Sequence, residues 1–351
     1  MKKKTLITTV FLSLIMIILF CGCHNKSSDN DDNVSNIDTN SSTSQQSQET
    51  ESKNPLTGLS IPEQYVNQRP VAVMINNIKL AQPLVGVSKA DIIYECLVEG
   101  GITRLLAVFK DLDNATQIGS VRSARPYYIS LARGLDAFYI HVGGSAQAKA
   151  IMASGVVDEF DLGSHSNMMW RDSWRKANLG YEHSALTSGE KLLKGITSSG
   201  KRTSLRSEDS SGMRFGEDSQ IQSGEELNKF TVTFSGYKST TFTYDSQEQT
   251  YKISQFGSAQ TDSSIKAQNS KQNVLVLKIN TYNIGNTELK ALDLVGKGEG
   301  YYMSRGKKIK IKWSKKSEDS PLTYTTSSGE SLTMLPGQIY VCCIPLDSDI
   351  S

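Results

Sequence analysis

A change in hydrophobic pattern near residue 230 most constrains how this chain can fold. Before it, short apolar runs typical of buried strands alternate with segments of helical pattern. The strand-like runs are 71–75, 92–94, 105–109 and 137–140, and the helical segments are 128–133 and 146–153. After it, apolar and polar residues alternate between turn-like breaks in 230–234, 241–244 and 250–253, and 274–279, 308–313 and 339–344 continue the series of strand-like segments. These patterns predict an α/β N-terminal domain followed by a mainly antiparallel β (α+β) C-terminal domain.

The N-terminus has the organisation of an export signal. Lysines at positions 2–4 precede an apolar run at 6–20, which is shorter than the about 20 residues that a spanning helix needs. Gly22 stands directly before Cys23, as lipoprotein signal peptidase requires. We therefore predict a signal peptide at 1–22 and lipidation of Cys23, with an uncleaved membrane anchor as the alternative. Either way, the chain is expected on the extracytoplasmic face of the cell membrane.

The residues after the anchor divide the chain further. Residues 23–53 are polar and contain almost no large apolar side chain, so they are expected to form a disordered tether. Its root-mean-square reach is about 30 Å. We predict an α/β domain at 54–200 that binds a ligand, a polar connection at 201–228, and a mainly β domain at 229–347.

Composition excludes some classes of partner. The chain has 38 Lys plus Arg and 36 Asp plus Glu, with a pI near 8.1, so no strong field attracts nucleic acid. Cys96, Cys342 and Cys343 follow neither a disulfide nor a metal-site spacing. We expect them to be small buried apolar residues.

Several short segments of the sequence are similar to motifs of one known family. They are residues 54–58 (NPLTG), 69–77 (RPVAVMINN), 90–95 (ADIIYE), 98–104 (VEGGITR), 121–125 (VRSAR), 141–145 (HVGGS), 273–277 (NVLVL), 298–302 (GEGYY) and 306–316. From residue 54 to residue 345 the chain resembles the YerB-like lipoprotein family. The resemblance implies an exported lipoprotein with two domains of unknown function. Many members carry Pro-His-Asn after an arginine-rich stretch, where this chain has residues 177–184, and the histidine of that segment is placed at His183.

Charged residues of the first domain cluster beside glycines and predicted strand ends. The candidate ligand-binding residues are Glu95, Glu99, Arg104, Arg122, Arg125, His141, Gly143, Gly144, Ser145, Arg171, Asp172 and Arg175. In an open α/β sheet, ligands bind where strands end and the next helix begins. Free N–H groups there favour an anion, and guanidinium groups match carboxylate or phosphate. The sequence therefore predicts a crevice for an anionic group, with ion pairs that only hold loops as the alternative.

Enzymatic alternatives have weaker support. The segment 143–147 resembles a nucleophile elbow, and His141 or His183 would be the base for Ser145, but Gln147 stands where that motif has glycine. No spacing typical of a metal site is present, and no cofactor is expected. We predict a membrane-anchored binding module for an anionic envelope ligand or partner protein, with a cell-envelope hydrolase using His141, Ser145 and His183 as the alternative.

Two tryptophans bracket part of this candidate site. Trp170 and Trp174 have a helix-like spacing that places both rings on one face. This predicts core packing or, alternatively, a wall of rings beside Arg171 and Arg175.

Overall fold

The structure is a computed structural model that describes residues 51–113, 115–206 and 211–351. The predicted signal peptide, the lipidation site Cys23 and the tether up to residue 50 lie outside the described residues. Residues 51–351 belong to one compact unit. No helix in the part of the chain that the structure describes is long and apolar enough to cross a membrane.

The helices are short. They are α1 (Glu63–Val66), α2 (Pro126–Gly134), α3 (Ala146–Ala153), α4 (Ser173–Asn178) and α5 (Gly189–Ser198). Strands of the N-terminal half are β1 (Glu51–Lys53), β2 (Ser60–Pro62), β3 (Val71–Asn77), β4 (Ile92–Leu97), β5 (Thr103–Phe109), β6 (Ile118–Gly119), β7 (Phe138–His141), β8 (Glu159–Asp161), β9 (Trp170–Arg171) and β10 (Ala185–Thr187).

Strands dominate the C-terminal half. They are β11 (Glu225–Glu226), β12 (Lys229–Thr233), β13 (Ser239–Asp245), β14 (Thr250–Gln255), β15 (Ser258–Ala259), β16 (Thr261–Asp262), β17 (Ala267–Gln268), β18 (Ser270–Lys271), β19 (Asn273–Lys278), β20 (Thr281–Asn283), β21 (Lys290–Leu292), β22 (Gly296–Ser304), β23 (Lys307–Lys315), β24 (Thr323–Thr326) and β25 (Ile339–Ile344). The predicted fold class, mixed α/β followed by mainly antiparallel β, is confirmed.

Regular structure is present before the predicted start of the first domain. β1 covers the last three residues of the segment that the sequence analysis assigned to the tether, and it pairs antiparallel with β2. The two strands are joined by a turn that is anchored from within. Asn54 donates from Nδ2 to Asp91 at 2.8 Å, and Leu56 is only 3% exposed in the core. Because the turn is anchored, residues 51–53 lie beside β2 and pair with it. The composition of residues 51–53 alone does not indicate this strand.

One large sheet is built from both halves of the chain. Its strand order is β11-β23-β22-β19-β25-β4-β5-β3-β7-β8, with β24 paired to β23. The junction is made by β25, which runs parallel to both β19 and β4. Residues on all three strands are buried on both faces, which explains their almost continuous apolar sequences.

Each face of this sheet is covered differently. α2 and α3 pack on the face that carries Met74, Tyr94 and Leu106. The opposite face carries Val73 and Ile93, and the antiparallel sheet of β12, β13 and β14 packs against it. The C-terminal half therefore contributes both a continuation of the sheet and the layer that covers part of the N-terminal half.

Candidate anion-binding site

The site forms where two parallel strands separate. β3 and β7 pair along the first residues of β3 only, and the segment 120–125 then enters the space beside the end of β3. Arg122 donates its backbone N–H to Met74 at 2.9 Å, and Ala124 donates to Gly143 at 2.9 Å. The segment thus lies between the end of β3 and the loop that precedes α3, which is the crevice position typical of such sheets.

Two of the predicted arginines share one carboxylate. Arg125 donates from Nε and Nη2 to the two oxygens of Glu99, at 2.5 and 2.7 Å. Arg104 lies 3.8 Å from the same carboxylate and donates from Nη1 to the carbonyl of Ser123 at 2.9 Å. Of the two candidate carboxylates, Glu95 and Glu99, Glu99 is the one that holds these guanidinium groups.

The third arginine has a less complete set of partners. Arg122 donates from Nη1 to the carbonyl of Glu182 at 3.0 Å. Its Nε–H is buried and has no hydrogen-bond partner among the described residues. We refer to Arg104, Arg122 and Arg125 as the arginine cluster.

Positive charge is concentrated in the arginine cluster. Burial, followed by the charge of Arg125, lowers the pKa of Arg104 to about 10, and the attraction of Glu99 does not compensate. Burial also lowers the pKa of Arg122. The charge of Glu182 opposes this shift, and the charges of Arg125 and Arg171 add to it. Although burial opposes it, hydrogen bonding to Arg125 lowers the pKa of Glu99. An anion placed here would relieve repulsion among the guanidinium groups.

A histidine borders the cluster. His183 is 3% exposed, and its Nδ1 lies 2.8 Å from Nδ2 of Asn76, at the end of β3. Burial lowers the pKa of His183, and the charge of Arg122 lowers it further. Because Nδ2 of Asn76 can only donate, Nδ1 of His183 accepts, and burial favours the neutral ring although Glu182 lies 3.6 Å from Nε2.

The loop before α3 adjoins the cluster through segment 120–125. Gly143 has φ +66°, and its N–H bonds Asp161 at 3.1 Å. Ser145 accepts a hydrogen bond from Ala148 at 3.2 Å and caps α3. The backbone N–H of Ser145 donates to the carbonyl of Ala124 at 3.3 Å. Since Ala124 lies between Arg122 and Arg125 in the chain, this bond places residues 143–145 beside the arginines.

His141 is part of the framework of this loop. It is 1% exposed, with Nδ1 2.8 Å from the carbonyl of Gly143 and Nε2 2.9 Å from Glu159. Both ring nitrogens are therefore engaged. Within the described chain no hydrogen bond joins Ser145 to His141 or His183, which the hydrolase alternative requires of a nucleophile and its base.

No group of three His, Cys, Asp or Glu side chains that would hold a metal ion is present in residues 51–113, 115–206 and 211–351.

Glu95 is not brought to the arginine cluster. It is fully buried on the opposite face of the sheet, 3.0 Å from the Nζ of Lys238. Thr103 donates to one carboxylate oxygen at 2.7 Å, and Thr240 and Tyr340 donate to the other at 2.9 and 2.8 Å. Glu95 therefore joins the two halves of the chain.

The candidates at 171–175 divide into two roles. Arg171 stacks on the ring of Tyr181 at 4.0 Å and donates to its carbonyl at 3.0 Å, so it lines the loop beside the cluster. Asp172 accepts from the backbone of Arg175 at 2.7 Å and caps α4. Arg175 is buried and donates to three backbone carbonyls, those of Ala81, Pro83 and His183.

The predicted shared face of the two tryptophans is wrong. Trp170 lies on β9, which pairs with β10, while Trp174 is on α4. The helix begins only after its cap at Asp172, so a helical spacing does not apply across this boundary. Trp174 is 60% exposed and is not part of the core.

Sequence reasoning missed Asn76 and Tyr237. Asn76 is a polar residue at the end of an apolar strand, a signal that was available in the sequence. Tyr237 comes from the C-terminal half and follows no motif. It approaches Gly101 so closely that a Cβ added to that glycine would lie 2.9 Å from the Cδ2 atom of Tyr237.

Comparisons with known proteins agree with this architecture. Residues 56–202 match the N-terminal domain, and residues 230–341 the C-terminal domain, of the family described as protein of unknown function DUF3048. YerB of Bacillus subtilis (strain 168), which is named as a lipoprotein, is 29% identical over 297 residues, or 84% of this chain and 86% of that protein. The crystal structure of YerB from Bacillus subtilis matches with a TM-score of 0.75 at 28% identity, covering 85% of this chain and 99% of that one. The chain belongs to the YerB-like lipoprotein family.

Proposed function

We propose that this lipoprotein is anchored through Cys23 to the extracytoplasmic face of the cell membrane and binds an anionic group there. The group belongs to an envelope molecule or a partner protein, and the arginine cluster receives it. The signal-like N-terminus and the name of the YerB relative support the anchor. No reaction is assigned, because the geometry of Ser145, His141 and His183 does not favour a hydrolase.

The observation that carries this proposal is the imbalance of charge in the arginine cluster. Glu99 is the one carboxylate that pairs with Arg104 or Arg125 among the described residues, and its two oxygens are already bound to Arg125. Arg122 keeps an unpaired Nε–H beside them. A bound carboxylate or phosphate would accept from the accessible part of the half-buried Arg122 guanidinium and offset the excess positive charge.

The three arginines differ in how well they test this proposal. Arg104 and Arg125 are 6% and 9% exposed, so their removal leaves a gap in the protein and the half-buried Glu99 unpaired, and this costs stability without any ligand. Arg122 is half-buried, and within the described part of the chain its side chain donates to one backbone carbonyl, that of Glu182. Its substitution is expected to affect binding more than folding.

The test is the melting temperature of the full chain with inorganic phosphate, pyrophosphate and citrate as probes. Binding to the folded state at ten times Kd adds about 1.4 kcal/mol of stability, which raises the Tm by about 3 °C. Arg122→Gln removes this rise because it removes a cationic donor from the cluster.

The matched control is Arg305→Gln. Arg305 is 41% exposed and pairs with the exposed Glu217 at 3.4 Å on another part of the surface, so its variant keeps the full rise. A rise that survives Arg122→Gln, or no rise with any of the three anions, contradicts the proposal and leaves the cluster as a structural clamp.

A further inference from the structure

We infer that the arginine cluster is the centre of a docking surface for an acidic segment of a partner protein. Tyr181 and Tyr237 would contact the two ends of this segment. This inference rests on the proposed function and names the class of partner. The surface combines residues of both halves of the chain.

Two strongly exposed tyrosines border the arginine cluster. Among the described residues, those more than a third exposed are Trp174, Tyr181, Tyr237 and Tyr282. Tyr237 is 85% exposed and Tyr181 59%, although most other tyrosines are buried or half-buried. Tyrosine is enriched at protein interfaces because its ring is apolar and its hydroxyl is polar, so two accessible rings beside a charged site fit a surface that a partner covers.

Contacts connect Tyr237 to one side of the cluster. Its ring lies against the backbone of Gly101, and Ser235 in the same turn donates from Oγ to the carbonyl of Gly101 at 2.6 Å. Gly101 ends the turn that begins at Glu99, whose carboxylate holds Arg125. Tyr237 is therefore fixed at the Glu99 side of the arginines by the C-terminal half.

Tyr181 is held at the other side. Its ring is stacked by Arg171 at 4.0 Å, and its backbone carbonyl accepts from Arg171 and from Ser184. The next residue, Glu182, accepts from Arg122 through its carbonyl at 3.0 Å. A continuous path of contacts thus runs from Tyr237 through the arginine cluster to Tyr181, which we call the docking strip.

The chemistry of the docking strip matches an acidic protein segment. Its centre presents arginines with too few carboxylates, so a complementary partner carries Asp or Glu. Tyr and Arg are the residue types that supply most of the binding free energy at protein interfaces. A free phosphate would use the arginines alone, whereas an extended chain with carboxylates in the middle and apolar side chains at its ends would contact both rings as well.

Binding of two synthetic peptides to the full chain tests this inference by fluorescence anisotropy. The first peptide has a short glutamate run flanked on both sides by leucine and tryptophan, and the second has the same run flanked by serine. We expect the first to bind about tenfold more tightly, because only its ends cover the tyrosine rings. Tyr181→Ala and Tyr237→Ala should each remove most of this difference, while Tyr282→Ala keeps it.

Tyr282 is a matched control because it is 48% exposed and lies on β20, where it bonds Asp293 at 3.2 Å instead of bordering the arginines. Circular dichroism of the variants verifies folding. Equal affinity for the two peptides, or tight binding that is indifferent to both tyrosine substitutions, overturns the docking strip. If Arg122→Gln still weakens the serine-flanked peptide in that case, anion binding at the cluster stands alone.

The inference would also be overturned if another class of ligand binds the docking strip more tightly than a peptide does. A phosphorylated glycan or vesicles of anionic lipid that bind more tightly than both peptides, with the same dependence on the two tyrosines, would replace the protein partner. No binding of either peptide overturns the inference, and the melting temperatures with phosphate, pyrophosphate and citrate decide separately whether the proposed function survives.

Discussion

Glu95 and Glu99 are four residues apart, and the structure gives them opposite environments. Glu95 lies on the central strand β4. Its buried carboxylate pairs with Lys238 and accepts a hydrogen bond from Tyr340, both in the C-terminal half. Burial lowers the pKa of Lys238, while Glu95 opposes the shift. Glu99 follows the end of β4, and Gly100 with φ +66° redirects the chain there, so that Glu99 meets Arg125. The sequence indicates two similar carboxylates, and only the pairing of the halves distinguishes them.

His183 gives a prediction at the same scale. Because its folded-state pKa is lowered below the unfolded value of about 6.5, the unfolded chain binds the proton first. Stability is therefore complete above about pH 6.5 and falls as the pH drops towards the lowered pKa. His183→Gln should remove this part of the acid sensitivity.

Urea unfolding between weakly acid and neutral pH measures the effect. The control is His165→Gln, since His165 is an exposed loop residue and its variant should retain the slope. Two variants with the same dependence of unfolding free energy on pH would contradict the assignment of that slope to His183.

At the scale of the element, local patterns predicted where strands and helices lie. The bounds of α3 and β25 agree with the predicted 146–153 and 339–344, because apolar spacing and glycine-bounded turns act over a few residues. Short elements such as β9 and α4 were not predicted, because they have too few residues for a periodic pattern. β9 is formed by pairing with β10, and α4 begins after the cap at Asp172. The gathering of the arginines beside residues 143–145 was predicted from strand ends, but the contribution of Tyr237 depends on contacts about 136 residues apart along the chain.

The cap of α3 gives a prediction at this scale. Ser145→Ala removes the side-chain acceptor for the N–H of Ala148 and should lower the free energy of unfolding by about 1 kcal/mol. Ser145→Asp supplies another acceptor and should keep most of the stability. Chemical denaturation compares the variants. A Ser145→Asp variant as unstable as Ser145→Ala would show that the hydroxyl does not act as a cap.

At the scale of the molecule, the two family domains are joined by one sheet. β25, from the end of the chain, lies between β19 and β4 and is parallel to both. The N-terminal half without it would expose the buried edge of β4, and such an edge associates with other chains. The two domains are thus separate in sequence but share a sheet and a buried ion pair between Glu95 and Lys238.

This arrangement gives a prediction for limited proteolysis, in which we expect cleavage between residues 198 and 225. Thr203 and Leu205 are bonded to the N-terminal half, through Arg69 and Asn67, while Ser219 is bonded to the C-terminal half through Thr333. A single cut between the two sets of bonds should therefore leave the halves associated through β25 and β4. Size-exclusion chromatography of the cut chain should give one peak at the elution volume of the intact chain, and denaturing electrophoresis should resolve two fragments. Fragments that separate under native conditions would contradict the shared sheet as the dominant link between the halves.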